Sequence, residues 1–193
     1  TIIDLEKIAS HKGSAFGSFK MPPQPTQEMF ENLLAYELNK ICQQKENCEL
    51  SSPSGATGDI IWLEDESQRI GDLNLPNAFW ETMRKSPIIF LDIPFEERLN
   101  HIVEEYGQCD KQKLIDSTRR ISQRLGGLDT KNTIEFLETD NIKEAFRILL
   151  RYYDKRYFKS LHNRENISSL LTEINCRSVT SENALQLTKP QPV

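Results

Sequence analysis

The chain has 193 residues, of which 37% are hydrophobic and 27% are charged, and its net charge is −5. This length suits one domain with a sizeable core, or one and a half domains, and the composition is that of an ordinary globular protein. No apolar run approaches the length that spans a membrane, and no secretory segment opens the sequence, so we expect a cytoplasmic protein with no membrane partner.

Charge is distributed unevenly along the chain. Residues 109–164 hold 13 Lys and Arg against 8 Asp and Glu, whereas the rest of the chain holds 11 against 21. An acidic protein with one basic segment is not typical of a non-specific nucleic-acid coat. The basic segment suits local contact with a polyanion and equally suits a solvated helical face, so charge alone leaves both alternatives open.

The cysteines and histidines do not form a pattern typical of a metal site. The sequence holds neither a C-x-x-C pair nor a cluster of histidines, so we expect no zinc site and four reduced thiols. The residues concerned are Cys42, Cys48, Cys109, Cys176, His11, His101 and His162.

Three apolar runs predict buried strands, over residues 1–5, 59–63 and 87–93. Each run is rich in β-branched residues and nearly continuous rather than alternating, which is typical of parallel strands covered on both faces. Turn-forming residues over 51–58 predict a loop, and the Pro-containing end of the chain over 189–193 predicts a frayed tail.

Helices are predicted between and after these strands. Thr26 is suited to an N-cap, and Pro76 and Pro94 are suited to the first turn of two further helices. From Asp110 onward nearly all of the sequence has a helical pattern, with a break at Gly126–Gly127. The strand–helix alternation followed by a helical second half predicts an α/β fold, a three-layer sandwich around a parallel sheet. The apolar face predicted for the first long helix comprises Phe30, Leu33, Leu34, Leu38 and Ile41.

The residues from Ala9 to Gln27 form an unusually long connection after a predicted strand. In parallel sheets ligands bind beyond the carboxyl ends of the strands, and a loop of this length is more often functional than not. Lysine, histidine and serine beside glycines favour an anion such as a phosphate. The candidate ligands in this loop are His11, Lys12, Gly13, Ser14, Phe16, Gly17, Gln24 and Gln27.

A second candidate loop follows the second predicted strand. Glu64, Asp65 and Glu66 repel one another unless a cation offsets them, and nucleotide-hydrolysing folds hold Mg²⁺ at an acid in this position. A solvated acidic turn explains the same pattern. We therefore take Glu64, Glu66 and Ser67 as candidates for holding Mg²⁺ or positioning a polar group, and Arg69 as a candidate phosphate ligand.

A third candidate feature is a pair of arginines. Arg120 and Arg124 lie four residues apart, so one helical face would present both guanidinium groups. Guanidinium groups suit phosphate oxygens, and the adjoining Gly126–Gly127 suits the hinge of a lid. Surface pairing with acids such as Asp116 is the alternative. We expect these arginines, the loop that carries Lys12 (residues 11–17, the Lys12 loop) and the acids at 64–66 to surround one pocket that binds negatively charged oxygen atoms.

Several familiar catalytic signatures are missing from the sequence. No Walker A segment of the form G-x-x-x-x-G-K-[ST] occurs, and no Ser-His-Asp arrangement is visible. No catalytic nucleophile is therefore predicted in this chain.

An ordered set of short segments resembles the tRNA 2-selenouridine synthases. The resemblance runs from about the first residue to beyond residue 155, and the ordered set is far more specific than any one motif. The segments that carry it are His11–Gly17, Gln24–Gln27, Phe30–Asn32, Glu64–Ser67, Arg69–Gly71, Leu75–Pro76, Pro94, Glu97–Arg98, Arg120, Leu125–Gly127 and Tyr152–Asp154.

The resemblance implies a P-loop NTPase-like domain over residues 1–160, with its first strand and P-loop missing, and an extension over residues 161–193 that completes or flanks it. It implies a transferase that acts on 2-thiouridine at the wobble position of certain tRNAs. Sulfur is exchanged there for selenium from selenophosphate, with an S-geranyl nucleoside made from geranyl diphosphate as the intermediate. The implied partners are tRNA and a rhodanese-like domain in cis or in trans.

The key cysteine of that family belongs to the rhodanese-like domain, so the resemblance implies no catalytic residue in this chain and no activity of the chain alone. Two alternatives stay open. One is a small-molecule kinase-like phosphotransferase with Arg120 and Arg124 as lid arginines, which a Walker loop without a rhodanese-like domain would favour. The other is a degenerate domain that only binds tRNA, which salt-dependent tRNA retention without turnover would favour.

Overall fold

The computed structural model describes residues 1–48 and 60–183. The loop predicted over residues 51–58 and the tail predicted over 189–193 lie outside these ranges. The chain divides into two compact units, Thr1–Met83 and Arg84–Val193. The domain limits predicted from the sequence, 1–160 and 161–193, stay a prediction.

The first unit is built from helices and one short hairpin. Its helices are α1 (Leu5–Ala9) and α2 (Gln27–Cys48), and α3 (Asn77–Lys85) begins within it. The hairpin pairs β1 (Arg69–Ile70) with β2 (Leu73–Asn74) in antiparallel fashion.

Among the described residues, the first two runs predicted as strands form a single isolated bridge and no strand. Ile2 and Trp62 form an isolated parallel bridge, in which the N–H of Ile3 donates to the carbonyl of Trp62 at 3.0 Å. The extended run ends at Asp4, whose carboxylate accepts a hydrogen bond from the N–H of Lys7 at 2.7 Å and so caps α1. An acid that caps a helix start competes with continuation of the strand, which is why the apolar pattern predicted too much strand here.

The core of the first unit lies between α1, α2 and the hairpin. Leu5, Phe30 and Ile70 are fully buried, one from each element. The predicted apolar face of α2 is confirmed at Phe30, Leu34 and Ile41, which are all buried. Leu33 departs from that prediction, because 40% of it is exposed.

The second unit is mostly helical, as predicted. A parallel two-stranded sheet pairs β3 (Ile88–Asp92) with β4 (Leu171–Asn175), with Ile88 opposite Leu171. The third predicted strand is thereby confirmed, whereas β4 was not predicted. The helices are α4 (Phe95–Tyr106), α5 (Lys111–Arg120), α6 (Ser122–Leu125), α7 (Gly127–Glu138), α8 (Ile142–His162) and α9 (Ile167–Leu170).

Helices and short sheets together confirm the α/β class. Within the described residues each sheet has two strands, β1–β2 and β3–β4, so the three-layer sandwich around a parallel sheet stays a prediction. None of the described helices combines the length and the apolar character that crossing a membrane requires. A cytoplasmic location also stays a prediction.

Candidate anion-binding loop and its carboxyl neighbours

The predicted anion-binding loop begins where α1 ends. Ser10 adopts the left-handed conformation, with φ 51°, and its N–H donates to the carbonyls of Glu6 and Lys7. The next residue, His11, is buried, and its Nδ1 accepts a hydrogen bond from the N–H of Gly13 at 3.1 Å. His11 therefore holds the loop in shape from the inside, with the proton of a neutral ring on Nε2.

Backbone N–H groups of the loop are engaged within the loop itself. The N–H of Lys12 donates to the carbonyl of Gly17 at 2.9 Å, and the N–H of Gly17 donates to the carbonyl of Ser14 at 2.9 Å. The N–H of Ser14 donates to the carbonyl of Lys12 at 2.8 Å, and the N–H of Phe16 donates to Oγ of Ser14 at 3.1 Å. In this conformation these N–H groups are already bonded within the loop, so the expected anion contact depends on side chains such as that of partly buried Lys12.

Two glycines of the loop are sites of close approach. Gly13 has φ +65°, and a Cβ at this residue would stand 2.4 Å from Oε2 of Glu66. A Cβ at Gly17 would stand 2.7 Å from Cε1 of His11. Gly13 is favoured by its left-handed φ, because the carboxyl end of Glu66 could move aside. Gly17 is required by space, because a Cβ there would also stand 2.8 Å from the backbone nitrogen of Lys12. The predicted loop and the predicted acids are thus in direct contact.

Glu64 and Glu66 each lie beside a second acid from the start of the chain. Oε2 of Glu64 accepts a hydrogen bond from the N–H of Leu5 at 2.9 Å. Burial raises the pKa of Glu64, and the nearby carboxyl of Asp4 adds to this rise. Burial raises the pKa of Glu66 to about 7, with a further contribution from the carboxyl of Glu6. Asp4 and Glu6 were not predicted as members of the site, because they lie about sixty residues from Glu64 and Glu66 in the sequence.

These carboxyl pairs allow two kinds of chemistry. A carboxyl whose pKa is near 7 can accept or donate a proton at neutral pH. Two neighbouring carboxyl groups repel each other when both are ionised, and either a proton or a bound divalent cation relieves this repulsion. Within residues 1–48 and 60–183, no three His, Cys, Asp or Glu side chains converge in a way that could hold a metal ion. Two carboxylates still fit Mg²⁺, because it is commonly held by one or two carboxylates together with substrate phosphates.

Gln24 joins the loop to the hairpin. Its Nε2 donates to the carbonyls of Ala9 and Ile70 at 3.0 and 3.1 Å, and its Oε1 accepts from the N–H of Asp72 at 2.9 Å. A Cβ at Gly71, which has φ +63°, would stand 2.2 Å from that Oε1. Gln24 therefore sets the position of the loop against the hairpin turn.

Gln27, three residues further along the chain, connects the start of α2 to the hairpin strand β2. Its Oε1 accepts from the N–H of Asn74 at 2.9 Å, and its Nε2 donates to the carbonyl of Asn74 at 2.8 Å. This amide thus extends the edge of the hairpin. The sequence did carry a signal for the hairpin that was missed, namely Gly71–Asp72 flanked by the apolar Ile70 and Leu73.

Ser67 and Arg69 also make contacts within the hairpin. Oγ of Ser67 donates to the carbonyl of Arg69 at 2.7 Å. The guanidinium of Arg69 donates to the carbonyl of Gly71 at 2.8 Å and to the carboxylate of Asp72 at 2.9 Å. Arg69 is nevertheless 66% exposed, so its guanidinium is accessible to a ligand.

The two predicted arginines belong to the second unit, and they do not share one helix. α5 ends at Arg120, the backbone leaves the helical conformation at Ile121, and Arg124 lies in α6. The expectation of one continuous helical face is therefore wrong. Both arginines are exposed, and Nη2 of Arg120 donates to Oγ of Ser117 at 2.7 Å. A common pocket for these arginines and the Lys12 loop stays a prediction.

Comparison with known proteins gives a family for the chain. A family model described as the tRNA 2-selenouridine synthase AAA domain matches residues 1–182. The tRNA 2-selenouridine synthase of Shewanella woodyi is 41% identical over 84% of this chain, and that of Nitrosomonas eutropha is 30% identical over 85% of it. The chain spans about half the length of these curated relatives, 49% and 50% respectively. No solved structure matches the chain.

Proposed function

The chain belongs to the tRNA 2-selenouridine synthase family, and we propose that it is part of a transferase that replaces sulfur by selenium in wobble 2-thiouridine of tRNA. Selenophosphate supplies the selenium, and geranyl diphosphate supplies the group carried by the S-geranyl-2-thiouridine intermediate. The observation that supports this proposal most strongly is the family match over residues 1–182.

The Lys12 loop is assigned to the diphosphate of the geranyl donor or to a tRNA phosphate. The ammonium group of Lys12 supplies positive charge, and the hydroxyl of Ser14 supplies a hydrogen-bond donor. His11, Gly13 and Gly17 hold the loop in shape through the contacts described above. Gln24 and Gln27 act as positioning residues, because their amides are bonded to the backbone of the loop and the hairpin.

The carboxyls of Glu64 and Glu66 are assigned to Mg²⁺ or to a polar group of the substrate. The negative charges of Asp4, Glu6, Glu64 and Glu66 repel a bound phosphate or diphosphate unless a cation neutralises part of them. Mg²⁺ would supply this positive charge when it is bound. Glu66 alternatively holds or releases a proton near neutral pH, which follows from its pKa of about 7.

Arg120 and Arg124 are assigned to tRNA phosphate or to the diphosphate leaving group. Both are exposed, and guanidinium groups form strong, paired hydrogen bonds to phosphate oxygens. The sulfur–selenium exchange itself is assigned to the chain working with a rhodanese-like domain in cis or in trans. Since none of the cysteines of this chain is assigned the catalytic role, the chain alone is expected to be inactive.

A domain that only binds tRNA is a second candidate function. It is favoured by the internal hydrogen bonds of Lys12, Gly13, Ser14, Phe16 and Gly17, which engage N–H groups that a phosphate cradle would use. Family membership supports the enzyme, and this local geometry supports the degenerate domain, so the test must separate the two.

The test measures turnover and binding on the same protein. The chain is mixed with tRNA that carries 2-thiouridine, geranyl diphosphate and selenophosphate, with and without a rhodanese-like domain added in trans, and the nucleosides are analysed by mass spectrometry. The enzyme hypothesis expects S-geranyl or seleno nucleosides when the added domain is present. Salt-dependent tRNA retention without either product would support the binding-only domain instead.

Binding to variants tests the residue roles. Arg120→Ala should weaken tRNA or geranyl diphosphate binding by about tenfold, the size expected for one charge-assisted contact. Arg119→Ala is the matched control, since Arg119 pairs with Asp116 at 3.2 Å in the same helix turn. Unchanged affinity of Arg120→Ala for both ligands would reject its assigned role.

A further inference from the structure

One helix of the second unit carries a row of cations at regular spacing. A Lys or Arg occurs at every fourth residue of α8, from near its start to near its end. The row comprises Lys143, Arg147, Arg151, Lys155 and Lys159. Residues four apart form one ridge on a helix surface, about 6 Å apart along the axis, so the row extends over about 24 Å.

The row crosses the solvent side of α8. The opposite side of the helix is buried through Phe146, Leu149 and Leu150. Arg151, Lys155 and Lys159 are exposed. Packing therefore fixes the helix from one side and leaves every cation of the row exposed except Arg147, which is partly buried.

The first half of the row is balanced by acids. Arg147 forms ion pairs with Glu96 and with Glu144, and Lys143 lies 3.8 Å from Glu96. The other acid of α8, Asp154, is bonded to Arg98 by two hydrogen bonds of 2.6 and 2.9 Å. The acids of the helix are thus already committed to other partners.

The second half of the row is not balanced in this way. Among the described residues, Arg151, Lys155 and Lys159 have no carboxylate within the 4.0 Å of an ion pair. The carboxylate of Glu96 also attracts Arg151 from beyond ion-pair distance, so the positive charge left for an external anion is greatest at Lys155 and Lys159. The chain as a whole has a net charge of −5, so this row is a local concentration of positive charge on an acidic protein.

Aromatic rings accompany these charges. The guanidinium of Arg151 lies 5.8 Å from the centre of the Phe95 ring, and that of Arg156 lies 5.8 Å from the Tyr152 ring. Phe158 is 40% exposed, and its ring centre lies 6.4 Å from that of His162. Cations that follow a backbone, beside rings on which bases stack, are the combination that RNA-binding surfaces use.

We propose that the Arg151–Lys155–Lys159 row of α8 is an RNA-contact surface, which binds the phosphate backbone of the tRNA outside the reacting nucleotide. The identity of the RNA rests on the proposed function, whereas the location of the surface rests on the charges and rings of α8. Because the contact is to the backbone, binding does not depend on the thiolated base.

The experiment uses the full chain and an unmodified tRNA transcript, which carries no 2-thiouridine. The variant Arg151→Glu/Lys155→Glu/Lys159→Glu is compared with the control Lys40→Glu/Lys113→Glu/Lys131→Glu, which reverses three exposed cations on other helices. Dissociation constants are measured at several potassium chloride concentrations. Urea unfolding of each variant establishes that it is folded.

The row variant should bind the transcript at least about tenfold more weakly, and the slope of log K against log salt should fall by about 2 for three lost contacts. The control should change affinity by less than about threefold. The milder variant Lys155→Gln should lower the slope by about 0.7 and keeps the test available if the triple variant does not fold.

Equal losses for the row variant and the control would overturn the proposal, and so would wild-type binding by the row variant. Competition by polyglutamate as strong as that by RNA of equal charge would also overturn it, since the row would then recognise charge and not RNA. These outcomes are independent of the proposed chemistry, because an unmodified transcript cannot be selenated. The proposed chemistry is tested separately, by the turnover assay on tRNA that carries 2-thiouridine.

Discussion

Gly13 lies directly against the carboxyl group of Glu66, although the two residues are more than fifty positions apart in the sequence. A Cβ added to Gly13 would stand 2.4 Å from Oε2 and 2.6 Å from Oε1 of Glu66. This contact joins the loop that carries Lys12 to the acids that follow Leu63. It is the reason for treating the two segments as one site.

Gly13→Ala should destabilise the chain. The left-handed φ of +65° strains any residue with a Cβ, and the carboxyl group of Glu66 must move away from the added methyl group, so we expect a loss of roughly 1–2 kcal/mol in the free energy of unfolding, mainly from the backbone strain. Gly127→Ala is the control, because nothing lies within 4 Å of a Cβ there. Urea unfolding measures both variants, and equal stability of Gly13→Ala and wild type would contradict the left-handed conformation of Gly13.

Glu66 should make stability fall as the pH rises. Its pKa is raised from about 4.5 to about 7 in the folded chain, so between these values the folded state binds more protons than the unfolded state. The free energy of unfolding therefore decreases with rising pH in this window and levels off above it. Glu66→Gln removes the titration, so wild type should lose roughly 2–3 kcal/mol relative to the variant between pH 5 and pH 8. Parallel pH curves for the two proteins would be inconsistent with a raised pKa.

Gln24→Ala should weaken the attachment of the loop to the hairpin. The variant loses bonds to Ala9, Ile70 and Asp72 and leaves their backbone groups with fewer partners, so we expect a loss of about 1–3 kcal/mol. Asn39→Ala, an exposed change in α2, serves as the control and should have little effect. Hydrogen exchange at the N–H of Asp72 reports the same contact locally, and unaltered protection there would count against it.

The Arg98–Asp154 pair should matter more than the Arg69–Asp72 pair. The first is paired through both oxygens with side chains only 30% and 24% exposed, whereas the second is 66% and 89% exposed. Asp154→Ala should therefore destabilise by about 1–3 kcal/mol, and Asp72→Ala by less than about 1 kcal/mol. Chemical unfolding of both variants measures the two losses. A larger loss for Asp72→Ala than for Asp154→Ala would show that the more exposed ion pair contributes more to stability.

Strong local patterns made part of the fold predictable. β3 is a continuous apolar run, and α2 begins after its predicted N-cap Thr26. α4 begins after Pro94, and α5 begins after Asp110, from which a helical pattern was predicted. β4 escaped prediction because it becomes a strand by pairing with β3, which no local pattern reveals. The hairpin strands β1 and β2 have two residues each, too short for any periodicity to appear.

The candidate site was predictable in its residue types but not in its contacts. The sequence indicated Lys12, Gly13 and Glu66 as members of functional loops. It did not indicate that Glu66 lies beside Glu6, or that Gln24 bonds to the hairpin, because each of these contacts joins distant parts of the chain. Such contacts depend on packing between elements, so only the folded structure shows them.

The Lys12 loop, which lies against Glu66, is proposed to bind the oxygens of a phosphate or diphosphate. The decisive experiment is isothermal titration of geranyl diphosphate, and separately of tRNA, into the full chain in a magnesium-containing buffer. Lys12→Ala is compared with Lys40→Ala, a change at an exposed lysine of α2. For the ligand that this loop holds, we expect an affinity about tenfold weaker for Lys12→Ala and an unchanged affinity for Lys40→Ala. Lys12→Ala affinities equal to those of the wild type for both geranyl diphosphate and tRNA would rule out this role of the loop.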